Sequence, residues 1–283
     1  MGTVISKDGT RIAYDKSGAG PVVILVDGAL GYRGGFGQQA LAEKLVDHFT
    51  VYTYDRRGRG ESSDALQEST AQKSGGQNSM DQQSWAQCVV EREVEDLDTL
   101  IQEAGGSAYL FGESSGAALV LEAALRLGDK VKKIALYEVP YNDDPTARQA
   151  WREYVRQLSE LLAAGRHGDA VGLFMKLVGA SQEDVDGMRQ APIWPMFESV
   201  APTLAYDHTA LFGQEAEVPA ERVTDVRVPA LVIDGAESFP FMHETAKKLA
   251  SAMPRAQQRT LEGQSHQIDP AALAPVLVEF FNS

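Results

Sequence analysis

The stretch that most restricts the fold of this chain is Tyr109 to Leu125, which contains Gly112-Glu113-Ser114-Ser115-Gly116. Apolar Ala108 to Phe111 reads as a short buried strand. The residues after Ser115 are strong helix formers with Val120 as the only β-branched one, so a helix follows at once. A strand that turns directly into a helix at a serine puts that serine on a tight, strained turn, with its Oγ clear of the backbone. Strand and helix then pass so close that the positions two before and two after the serine cannot carry a large side chain. Gly112 and Gly116 meet that need. The turn also sets Ser114 at a helix N-terminus, where backbone N–H groups favour developing negative charge.

Five residues of G-x-S-x-G are a loose pattern, so the reading depends on the rest of the chain. At 283 residues and 43% hydrophobic content there is ample material for one large α/β core with an inserted subdomain. A net charge of −14 opposes binding to nucleic acid or anionic membranes. The one cysteine, Cys88, excludes an internal disulfide and any Cys-based metal pattern. The histidines lack H-x-x-x-H spacing, and Gly31 to Gly37 lacks the G-K-[ST] of a phosphate loop, so no metal and no cofactor is expected. The N-terminus has no apolar leader, and no apolar run is long enough to span a bilayer. A soluble, cytoplasmic protein acting on a small molecule is expected, compatible with a monomer or a homodimer.

Along the chain, Thr3–Ser6 and Arg11–Asp15 read as a hairpin around Asp8-Gly9, and Val22–Val26 as a central parallel strand. A glycine-rich loop from Asp27 to Gly35 follows, then a helix over Gln38–Phe49 and a strand over Val51–Tyr54. Polar residues 64–84 read as a surface loop, and Trp85–Ala104 as an amphipathic helix. After the strand Val131–Tyr137 the strand–helix rhythm breaks. Helices are expected over Thr146–Ala164, Asp169–Val178, Ser181–Arg189 and Ile193–Leu204. The rhythm resumes at the strand Pro229–Asp234, with Ala256–Leu261 the last strand and Pro270–Phe281 the closing helix. The domain reading is a core over 1–140 and 226–283 with a helical cap over 141–225. Strands alternating with helices imply a mostly parallel sheet covered on both faces, with ligands at the carboxyl ends of its strands.

With these pieces placed, the chain resembles the α/β-hydrolase superfamily nearly end to end. The resemblance rests on the Ser114 elbow, the loop after Val26, the turn Asp55-Arg-Arg-Gly-Arg-Gly-Glu-Ser62, and His266 in Gly263-Gln-Ser-His266. It implies an α/β-hydrolase fold with a helical cap, Ser114 as nucleophile and His266 as general base. Ala29 and Ser115 would donate backbone N–H groups to an oxyanion. Many relatives carry His before Gly in that loop, where this chain has Asp27. The acid that orients the histidine follows the seventh strand in many relatives, but that position holds Ser238. Other relatives place it after the sixth strand, where Glu138 stands, so Glu138 is favoured, with Glu237 and Asp234 as alternatives. Arg57 and Arg59 are read as bracing their turn.

The implied function is a serine hydrolase acting through an acyl-enzyme on an ester, thioester or lactone of a small apolar substrate. Ser at the elbow argues against the Asp-nucleophile dehalogenases and epoxide hydrolases. Carbon–carbon bond hydrolysis or acyl transfer by the same residues stays open, as does a ligand-binding relative without turnover, which the departures at Asp27 and Ser238 suggest.

Overall fold

The computed structural model describes residues 1–35, 38–67, 81–267 and 269–283. Eight strands form one sheet: β1 (Gly2–Ile5), β2 (Arg11–Gly18), β3 (Val22–Val26), β4 (Thr50–Tyr54), β5 (Ala108–Glu113), β6 (Val131–Tyr137), β7 (Ala230–Gly235) and β8 (Ala256–Leu261). Their order is β1-β2-β4-β3-β5-β6-β7-β8. Only β1–β2 and β2–β4 pair antiparallel; the other pairs are parallel. The hairpin expected at Asp8-Gly9 is the β1–β2 turn, closed by Ser6 N–H to the Thr10 carbonyl at 2.8 Å.

The apolar run of β3 has its explanation in the two cores. Ile24 and Val26 face one cluster with Val94, Leu97, Ala117 and Val120, from helices α2 (Gln82–Glu103) and α3 (Ser115–Leu127). Val23 and Leu25 face the other, with Leu41, Leu45, Leu273 and Leu277 from α1 (Gln38–Leu45) and the C-terminal helix. A strand with helices on both faces has no side left for polar residues, which is why the run does not alternate.

Between β6 and β7 the described chain contains helices and no strand: α4 (Pro145–Ala163), α5 (His167–Leu177), α6 (Gln182–Met188) and α7 (Trp194–Val200). A single helix over Ile193–Leu204 does not form. Pro202 has no N–H to continue the ladder, so the chain passes into a 3₁₀ turn at Ala201–Thr203 and then a π-helical turn at Ala205–Ala210. Helix α1 likewise stops at Leu45, four residues early, as Phe49 turns into the core and the chain enters β4. Helices α8 (Pro240–Ala252) and α9 (Pro270–Asn282) complete the fold. Of the polar loop expected at 64–84, residues 68–80 lie outside the described residues.

The elbow glycines are needed for space. A Cβ on Gly112 would lie 2.5 Å from the Gly116 carbonyl oxygen, and one on Gly116 would lie 2.3 Å from that of Val26. Both obstacles are backbone and cannot swing aside. Gly116→Ala should therefore cost about 2 kcal/mol or more, within the range for overpacking. Urea unfolding measures it; an unchanged midpoint would show that strand and helix can separate.

Candidate active site

Four non-glycine residues among those described have positive φ, and three stand at the carboxyl ends of adjacent strands: Leu30 (60°) after β3, Ser114 (53°) after β5 and Glu138 (48°) after β6. Such conformations cost on the order of 1–3 kcal/mol each and persist where the surroundings enforce them. The ends of β3 and β5 open into one cavity of about 520 Å³, which His266, the partner of Glu138, also lines. Ser114, His266, Ala29, Asp27 and Glu113 line it from the sheet side, and Phe174, Met175, Val178 and Phe197 from α5, its end and α7. Of the aromatic and Met residues between β6 and β7, Phe174, Met175 and Phe197 thus border the cavity, while Trp151, Trp194 and Tyr206 are buried in packing.

His266 Nδ1 lies 2.7 Å from Glu138 Oε2. A carboxylate can only accept, so Nδ1 carries the proton and Nε2 is left with its lone pair. Glu138 is buried and held by two further donors, the Gly235 N–H to Oε1 at 2.9 Å and the Ser238 hydroxyl to Oε2 at 2.8 Å. The Tyr137 hydroxyl bonds the Ser265 carbonyl and ties down the histidine loop. The alternative acids are placed elsewhere. Asp234 is buried and accepts from His243 at 2.9 Å, from Gln258 at 3.1 Å and from Thr260. The Glu237 side chain is exposed.

The backbone donors follow from peptide geometry. The Ser114 carbonyl accepts from Ala117 N–H at 3.0 Å, so the antiparallel N–H of the same peptide, that of Ser115, points back out of the helix start. The Gly28 carbonyl accepts from Arg59 at 2.6 Å, so the Ala29 N–H points away from Arg59. Gly28 packs against Ser114, where an added Cβ would lie 3.2 Å from the serine Cβ.

Behind these loops lies a buried ion cluster. Asp207, in the π-helical turn, accepts from Arg56 and Arg59 at 2.6 Å each and from the Ser115 hydroxyl at 2.8 Å. Arg56 also pairs with both oxygens of Glu93 at 2.8 Å and reaches the Asp27 carbonyl at 3.2 Å. Burial alone would raise the Asp207 carboxyl; Arg56 and Arg59 outweigh it and hold the group below the usual carboxylate range. Burial pushes the neighbouring His208 down to about 4, so at neutral pH it is uncharged and bonds the Tyr154 hydroxyl at 2.7 Å. Arg59 does brace the loop, as its turn suggested, whereas Arg57 pairs with Asp96 and Asp8. Asp207 and Arg56 escaped the sequence reading because their partners lie 151 residues apart.

Asp27 and Glu113 form a carboxyl pair at the cavity wall. Burial, first, pushes Asp27 from 3.8 up to about 6 against the pull of the Glu113 bond, Arg59, the Gly28 N–H and Arg56. Burial and the Asp27 charge drive Glu113 well upward. One proton shared between them fits both directions. Among the described residues no group of His, Cys, Asp and Glu is arranged to hold a metal, and no helix is long and apolar enough to cross a membrane.

Two outcomes are expected. Asp207→Ala leaves buried Arg59 without its carboxylate and Arg56 with Glu93 alone, and should destabilise by about 3–5 kcal/mol in denaturant titrations. Asp27 binds its proton more tightly folded than unfolded, so its contribution to stability is complete below about pH 4 and is lost as pH rises to about 6. Asp27→Asn has no such loss. Its stability relative to the parent should grow across that window by about 2–3 kcal/mol, and a difference independent of pH would assign the raised proton to another group.

Comparisons with known proteins bear on the family and the fold. Residues 22–276 match the alpha/beta hydrolase family. A solved alpha/beta hydrolase from Sphaerobacter thermophilus is 44% identical, with 99% of this chain and 100% of that one covered at a TM-score of 0.79. A thermophilic esterase from Thermogutta terrifontis is 20% identical over 99% of this chain and 97% of its own at a TM-score of 0.68. The enol-lactonase from Burkholderia xenovorans is also 20% identical, with both chains covered completely at a TM-score of 0.65. At that identity these two share the fold. The uncharacterized hydrolase YraK of Bacillus subtilis is 30% identical over 131 residues, 46% of this chain and 41% of its own length. With the family match running through six of the eight strands, the elbow and the histidine loop, the chain belongs to the alpha/beta hydrolase family.

Proposed function

We propose that the protein is a serine hydrolase that cleaves a carboxylic ester, thioester or lactone through an acyl-enzyme. The observation that carries the reading is the convergence of Ser114 and His266 on one cavity, with Glu138 bonded to Nδ1 of the histidine. A serine hydroxyl is a weak nucleophile at neutral pH and needs a base to take its proton. His266 Nε2 would take that proton as Ser114 Oγ attacks the carbonyl carbon. The tetrahedral oxyanion would be met by the Ala29 and Ser115 N–H groups. Collapse breaks the bond to the alcohol, thiol or ring oxygen, which receives the proton back from His266. Water, deprotonated by the same nitrogen, then releases the acid and restores Ser114. Glu138 acts through His266, fixing its tautomer and stabilising the imidazolium.

The helices of residues 141–225 would serve as a cap. Phe174, Met175, Val178 and Phe197 give the acyl or alcohol chain an apolar wall, and the cap is tied to the core through Asp207. The esterase and lactonase among the structural neighbours carry out this class of reaction.

A fluorophosphonate probe with intact-mass detection, beside turnover of 4-nitrophenyl esters, tests the reading. One adduct per chain, lost in Ser114→Ala together with turnover, is expected. Glu138→Gln should lower kcat by about 10³-fold or more. Glu237→Gln should stay within a few-fold of the parent, as should Asp234→Asn in kcat per folded protein. Equal losses in all three carboxylate variants would remove Glu138 from its place, and an unlabelled folded protein would end the serine-hydrolase reading.

A further inference from the structure

Five large apolar residues among those described are exposed: Met1 and Ile5 at the N-terminus, and Leu177, Val178 and Phe239. Scattered singly, such residues need no explanation. The last three are not scattered. Leu177 and Val178 are consecutive at the end of α5, and Val178, 46% exposed, also lines the cavity that holds Ser114 and His266. Val178 therefore stands at the mouth, in contact with both the cavity and the outside. The ring of Phe239 abuts the next residue of the chain: a Cβ on Gly179 would lie 3.8 Å from its Cζ. Phe239 is 47% exposed and stacks on Phe241 with ring centroids 5.9 Å apart. Its chain neighbour Ser238 bonds Glu138, which ties this stretch to the site.

We propose that Leu177, Val178 and Phe239 form an apolar ledge at the cavity mouth that takes the outer part of a long, uncharged hydrocarbon chain of the substrate. The inference rests on the hydrolase reading and narrows its substrate from any small apolar ester to one whose chain is longer than the cavity. Continuity decides the occupant. The cavity wall that leads to Val178 is itself apolar, with Phe174, Met175 and Phe197, so a chain leaving the cavity past Val178 stays on hydrocarbon. A net charge of −14 opposes an anionic lipid surface in its place. A methylene taken wholly out of water is worth about fourfold in affinity, and one laid half-covered on an open ledge about twofold. Four such methylenes give a factor of about ten or more. Contacts of this kind are made equally by the substrate and the transition state, so the gain falls in KM and leaves kcat unchanged.

The test uses 4-nitrophenyl esters of straight acyl chains from four to twelve carbons, kept at concentrations where light scattering shows them monomeric. The expected result is that kcat/KM for the better of the ten- and twelve-carbon esters exceeds that of the six-carbon ester by about tenfold or more, through KM. Within Phe239→Ser this ratio should contract about threefold or more, and within Phe239→Leu it should stay within about twofold of the parent. Phe239 holds the N-cap of α8, where serine is a favoured residue, so the serine variant keeps its helix. A ratio near one in the parent, a ratio carried by kcat, or a ratio unchanged in Phe239→Ser would overturn the proposal. A rate that rises only where the ester aggregates would assign the patch to a lipid surface, and a dimer that Phe239→Ser dissolves would assign it to a second copy; either also overturns it. Binding is read separately on Ser114→Ala by calorimetric titration with 1-hexanol, 1-octanol and 1-decanol. If no ester turns over, the hydrolase reading fails on its own, and the titration still decides. Decanol bound about tenfold or more tighter than hexanol, with the gap contracted when Phe239→Ser is added, supports the ledge; a gap near one, or one that Phe239→Ser leaves untouched, sinks it.

Discussion

Asp207 between Arg56 and Arg59 is the contact on which the site depends. Two guanidinium groups and a carboxylate, all buried, would be costly if any one stood alone. Together they lock three segments that are far apart in sequence: the turn after β4, the elbow through the Ser115 hydroxyl, and the helical segment between β6 and β7. Arg59 extends the lock to the Gly28 carbonyl and Arg56 to that of Asp27. Because a trans peptide sets its N–H opposite its C=O, the hold of Arg59 on the Gly28 carbonyl turns the Ala29 N–H away from Arg59. A loop with glycines at 28 and 31 would otherwise have many conformations to choose from.

The strained residues follow from the same arrangement. Ser114 and Glu138 both sit at φ near 50°, each directly past the end of a buried parallel strand. The strand pairing holds the chain up to that point, and the next segment must turn sharply to leave the sheet. Backbone bonds keep the turns in place: Ser114 N–H donates to the Tyr137 carbonyl at 2.9 Å, and Glu138 N–H to that of Ile233 at 2.9 Å. The sheet ladder thus runs past the formal strand ends, and the proposed nucleophile and the carboxylate that orients His266 are fixed to neighbouring strands of one rigid body.

Much of this was legible in the sequence because it is local. The elbow is written in two glycines and a serine; the buried strands are continuous apolar runs; the break in rhythm after Tyr137 marks the helical segment. What was not legible depends on contacts across long stretches of chain. Asp207 and Arg56 meet across 151 residues of chain, and nothing adjacent to Gln38 in sequence marks it as a buried residue of its helix. Pro202 is the instructive case among the elements. Its effect on a helix is local and readable, yet the apolar spacing around it suggested one continuous helix, and the missing N–H prevailed.

Glu138 shows how a departure from pattern can leave geometry intact. Strands β6 and β7 are paired in parallel, with Tyr137 opposite Ile233, so their carboxyl ends open side by side at the histidine loop. A carboxylate leaving either end can reach the same imidazole. From the end of β6, Glu138 with its positive φ reaches the histidine ring at 2.7 Å. Ser238, at the place where many relatives carry the acid, points its hydroxyl at the Glu138 oxygen that also receives His266. A second carboxylate there would repel the first, whereas a hydroxyl donates a hydrogen bond to it. With Glu138 as the acid, serine is therefore a fitting residue at position 238, and its presence there counts as support for the assignment rather than as a sign that the site is incomplete.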